Sequence, residues 1–130
     1  MIKLPESMEK IWTMRAKEMR EVEIAETLEI SRQAVNKALK DAKAKLFEAF
    51  FALAETFSWE IIRVNAEKGF MVAKGKCKEK DVRVYAFYIP KKGIKGFFDE
   101  DIPDYIIQHA LGIKLIKKPD KKELIKVLET

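Results

Sequence analysis

The sequence predicts an α+β fold: an N-terminal three-helix helix-turn-helix head with a long connecting helix, then a small antiparallel sheet covered by helices. Three observations predict it. Apolar residues recur at spacings of three and four from Met8 onward, and no Gly or Pro interrupts the chain from Ser31 to Phe57. From Trp59 the pattern changes to short runs rich in Val, Ile, Phe and Tyr. After Pro90 the signals are again those of helices: acids before Ile102-Pro103-Asp104, a closing Gly112, and Pro119 before a last apolar repeat. Residues 1–57 are expected to form the head and long helix, and residues 58–130 an α+β unit for assembly or effector sensing.

In chain order, Pro5 suits the first turn of a helix whose inward face is Met8, Ile11, Trp12, Ala16 and Met19. Arg20 and Glu21 make a short break. A second helix follows, with Ile24, Leu28 and Ile30 facing inward and Ala25 where two helices would cross closely. Ser31 can cap a third helix, in which Val35, Leu39, Ala42, Leu46, Ala49 and Leu53 form a seam. Phe47, Phe50, Phe51 and Phe57 add a second apolar face, and a helix apolar on two sides needs partners on two sides. One side is expected to pack on the C-terminal unit. The other, through Leu46, Phe47, Phe50, Phe51, Leu53 and Phe57, is expected to pack on the same helix of a second copy, giving a two-fold homodimer.

Strands are expected at Trp59–Asn65, Phe70–Cys77 and Val82–Ile89, joined by the turns 66–69 and 78–81 as an antiparallel meander. The third strand is apolar on both faces and should be the best covered. Lys91 to Gly96 reads as a basic loop, Ile113 to Ile116 as a short strand, and Pro119 as the start of a helix burying Leu124, Ile125 and Leu128.

The chemistry lies in the stretch from Glu21 to Ala42, EVEIAETLEISRQAVNKALKDA. With Ser31 at the cap, Arg32, Gln33, Asn36, Lys37 and Lys40 fall on the solvent side of the third helix. Arg pairs with guanine edges, Gln and Asn with adenine, and Lys with phosphate, so the row is suited to duplex DNA. The run EIAETLEISRQAVNKAL resembles the helix-turn-helix of archaeal and bacterial transcriptional regulators, especially those with a head like region four of bacterial sigma factors. The resemblance covers Met8 to about Leu46. It implies a major-groove recognition helix opening at Ser31, transcription regulation as the function, and RNA polymerase as a further partner. In that family a Gly stands two residues before the capping Ser; here it is Glu29, so either a left-handed backbone costs on the order of 1 kcal/mol there or the turn takes another form.

A formal net charge of +5 and a pI near 9.2 are compatible with nucleic acid. Residues 1–57 hold 10 Lys+Arg against 10 Asp+Glu, and residues 58–130 hold 16 against 11, so the head is neutral overall. Within the head, acids gather on the second helix and bases on the third, which gives the row a local positive field. The bland alternative is a helical pair that has lost DNA binding and serves only in assembly.

Lys74, Lys76, Lys78 and Lys80 crowd one hairpin tip and could touch phosphates as a wing, although such tips are usually solvated surface. Asp99, Glu100, Asp101 and Asp104 read as helix-start acids rather than Mg²⁺ ligands. One cysteine, Cys77, and one histidine, His109, leave no disulfide, zinc set or nucleophile pair. The sequence therefore points to no enzyme, no cofactor and no metal. It has neither a membrane span nor a signal-peptide core, and a cytoplasmic location is expected. An adaptor binding polymerase or another protein, with non-specific nucleic-acid contact, is the alternative.

Overall fold

A computed structural model describes residues 3–99 and 101–130; Glu100 of the acidic loop lies outside the described residues. Helices α1 (Glu6–Ala16), α2 (Glu21–Leu28) and α3 (Arg32–Thr56) lead into strands β1 (Glu60–Asn65), β2 (Phe70–Cys77), β3 (Lys80–Ile89) and β4 (Gly93–Phe98). Helices α4 (Asp104–Gly112) and α5 (Lys121–Glu129) complete the described chain. The sheet is antiparallel throughout, in the order β1-β2-β3-β4.

Strand alternation divides the sheet's side chains between two cores. Met71, Ala73, Val84, Ala86, Tyr88 and Ile94 face α1 and the second half of α3, where Trp12, Leu46, Phe50 and Ala54 cover them. Phe70, Val72, Tyr85, Phe87 and Ile89 face α4 and α5 and bury Ile106, Ala110, Leu124 and Leu128. A third, smaller core holds the head together: Ile11 of α1, Ile24 and Ala25 of α2, and Val35 and Leu39 of α3. The packing crosses residue 57 without a break, because α3 contributes to the head's core with one half and to the sheet's with the other.

Several polar bonds fasten α1 to the sheet. Trp12 Nε1 donates to Ala66 O at 2.9 Å. Buried Glu9 accepts from the Tyr88 hydroxyl and from Lys91 N, while Tyr88 Oη accepts from Leu4 N at 2.9 Å. Burial raises the Tyr88 phenol's pKa well above its ordinary value, and the bond to Glu9 raises it further. Lys68 Nζ reaches the carbonyls of Ala16 at 2.7 Å and Ile113 at 2.8 Å. One ammonium thus caps the end of α1 and the turn after α4, tying the two together.

The strand pattern differs from expectation in three places. Lys91–Gly96 is not simply a loop: a turn with left-handed Lys91 leads into β4, whose residues 93–98 pair with β3. Ile113–Ile116 forms a turn rather than a strand, and its apolar residues still fill the cores. The β2–β3 connection is tighter than four residues, with Lys78 and Glu79 both at positive φ and β3 beginning at Lys80. Two further adjustments are local. The break after α1 is 17–20, with Glu21 opening α2, and α5 starts after Asp120, whose side chain accepts from Lys122 N.

Candidate nucleic-acid interface

The geometry of the head starts at Glu29 and Ser31. Glu29 takes a left-handed backbone, φ 56° and ψ 44°, and ends α2. Ile30 N then reaches back to Ala25 O at 3.0 Å, a reversal that leaves the Ile30 side chain on the surface rather than inward. Two residues later Ser31 Oγ accepts from Ala34 N at 3.0 Å and opens α3. With that register Val35 and Leu39 are buried behind the helix, and Arg32, Gln33, Asn36, Lys37 and Lys40 are all exposed in front.

These residues and Glu21 line a shallow open depression on the surface. Asn36 Nδ2 donates to Glu21 Oε1 at 3.3 Å, and Lys37 Nζ pairs with Asp41 at 3.0 Å. Both contacts are exposed and cheap to break. Arg32, Gln33 and Lys40 have no partner among the described residues. A second depression beside the row adds Arg15 and Lys43, with Glu67 at 3.7 Å from Lys43. Arg15 did not stand out in the sequence, because its nearness to α3 comes from tertiary packing of α1. The Glu21 carboxylate, on the first turn of α2, lies within the row itself.

The tip lysines are not brought to this row. Trp12 packs beside Ala66 and Gly69, in the turn just before β2, whereas Lys78 follows the far end of β2, beyond the seven strand steps or roughly 23 Å from Phe70 to Cys77. Lys74 is engaged by Glu60 at 3.3 Å and Asp81 at 4.0 Å, whereas Lys76, Lys78 and Lys80 are exposed.

The set expected to meet a second copy divides in two. Leu46 and Phe50 are 2% and 0% exposed, buried on the chain's own sheet with Leu53 packed beside them. They cannot form an interface between copies, because the sheet already occupies that side of α3. Phe47 and Phe51 are 42% and 52% exposed and stack on each other at 6.1 Å. Phe57 is also exposed, but stacks on Trp59 at 5.0 Å. Phe47 and Phe51 follow Lys40 by seven and eleven residues, so they extend the same helical face as the polar row.

Other titratable groups do not converge. Among the described residues no three His, Cys, Asp or Glu side chains gather where a metal could sit. Cys77 is exposed at the hairpin end. His109 is half-buried on α4, its Nε2 lacks a hydrogen-bond partner among the described residues, and burial lowers its pKa to about 4. Among those residues no helix is long and apolar enough to cross a membrane. Compared with protein-family models, with curated proteins and with solved structures, the chain matches none.

Proposed function

We propose that the protein is a sequence-specific, double-stranded-DNA-binding transcriptional regulator that reads the major groove with the start of α3. The observation that carries this reading is the row Arg32, Gln33, Asn36, Lys37 and Lys40, exposed on three turns of a helix whose back is buried. A helix about 10 Å across suits the major groove, and the row supplies both base-edge and phosphate donors. Asn36 and Lys37 exchange their carboxylate partners for base edges and phosphate on binding. Phe47 and Phe51 are the α3 surface on which a second copy packs, giving the homodimer.

Selection of bound sequences from random duplexes tests the reading. The intact protein returns a motif, and the double variant Arg32→Ala, Gln33→Ala returns none while its melting transition stays put. Unchanged preference in the variant would refute the assignment. Sedimentation in the same buffer measures the dimer, which Phe51→Asp dissociates.

The second reading, an adaptor for polymerase or another protein, draws support from the Phe47–Phe51 stack and from Glu21 beside Asn36. It predicts an empty selection from the intact protein.

A further inference from the structure

The depression along the polar row has one acid in its lining, Glu21. Glu21 opens α2, where an acid suits the positive end of the helix dipole, but the cap there is already served by Glu23, which accepts from Arg20 N at 3.4 Å. The Glu21 side chain crosses to α3 instead and accepts from Asn36 Nδ2 at 3.3 Å. The two depressions it lines hold cations, yet none among the described residues pairs with it. Lys37 turns to Asp41 at 3.0 Å, Lys43 to Glu67 at 3.7 Å, and Arg15 donates to the Met19 carbonyl at 2.8 Å. A half-buried carboxylate held by a neutral amide is thus left within a basic row.

We propose that Glu21 is a specificity-determining residue of this interface and reads a cytosine. The inference rests on the major-groove reading above and adds a base to it. A carboxylate only accepts hydrogen bonds, so it rejects phosphate oxygens and the edges that present acceptors, guanine N7 and O6 and thymine O4. Adenine offers its N6 amino group beside the N7 acceptor. Cytosine N4 is the donor with no acceptor next to it, and it is the group a lone carboxylate selects. Once Asn36 turns to its own base edge, the freed Glu21 carboxylate either meets such a donor or stands unpaired near phosphate. Glu21 therefore weakens binding to duplexes in general and restores it where a cytosine falls opposite.

Selection from random duplexes with the intact protein, Glu21→Ala and Glu21→Gln tests the assignment. The intact protein returns a motif with one fixed C·G pair. In Glu21→Ala that column loses its preference while the rest of the motif stays, and affinity for unrelated duplexes rises roughly threefold as a negative charge leaves the interface. Glu21→Gln, which still accepts from Asn36, moves the column from cytosine to adenine. Replacing that cytosine by 2-pyrimidinone, which lacks the 4-amino group, weakens the intact protein about tenfold and Glu21→Ala by less than about twofold. An intact protein that returns no motif would take down the DNA reading together with this one. A motif unchanged in both variants would overturn the cytosine assignment alone. So would an equal loss of affinity on every duplex with a lowered melting temperature, the mark of a residue that only ties α2 to α3.

Discussion

The two halves of α3 are one continuous helix with opposite duties. Toward the N-terminus Val35 and Leu39, with Ala38 beside them, carry the packing, and the exposed side chains Arg32, Gln33 and Lys40 hold nothing together. Toward the C-terminus Leu46, Ala49, Phe50 and Ala54 are buried on the sheet and have no surface to offer a partner. The difference teaches that a side chain is available for recognition where removing it leaves the fold alone. Substitutions should therefore separate cleanly into those that affect stability and those that affect binding.

The sharpest test of that separation is Phe50→Ala. A fully buried phenylalanine replaced by alanine should cost about 3–5 kcal/mol in urea unfolding, against less than about 0.5 kcal/mol for the Arg32, Gln33 double variant. Similar losses in the two would break the comparison.

The next effect is pH-dependent and belongs to the core. The folded His109 pKa, about 4, lies below the ordinary value of 6.5, so between these values the unfolded chain binds more protons. Its contribution to stability is complete above pH 6.5 and is lost as pH falls through about 4, by at most about 3 kcal/mol. Urea titrations across this window should show stability rising with pH, and His109→Gln should flatten the slope. A slope equal in the variant would assign it to other groups.

At the Ser31 end of α3 the effects are smaller. Ser31→Ala removes the cap bond to Ala34 N and should cost about 1 kcal/mol; under the proposed function it should also cost a larger share of DNA affinity, because the row frays with its helix. Smallest of all, Glu29→Gly relieves a left-handed backbone and should raise stability by about 0.5–1 kcal/mol in thermal or urea unfolding. A loss instead would mean that the Glu29 side chain makes a contribution of its own.

What could be read beforehand followed from local signals. The length of α3 and its Ser31 cap are properties of a few neighbouring residues, and each is found where the spacing places it; the left-handed Glu29 is one of two turn forms left open by the resemblance. The exposure of the polar row follows from the same helical period once Val35 and Leu39 are known to be inside. β4 escaped because Gly93, Gly96 and the adjoining lysines carry loop chemistry, while pairing with β3 supplies the order from outside the segment. Helical period alone could not tell the covered Leu46 and Phe50 from the uncovered Phe47 and Phe51, since that depends on where a sheet made later in the chain settles. The partnership of Asn36 with Glu21, fifteen residues apart, is likewise tertiary.

The shared helix also sets the terms on which this protein could be rearranged. Cut after residue 57, the first part would carry Leu46, Phe50 and Ala54 into water, and the strands left behind would lose their roof. The helical head is thus no portable cassette. A chimera that borrows it must bring the strand layer along, or supply another surface shaped to receive the same three side chains.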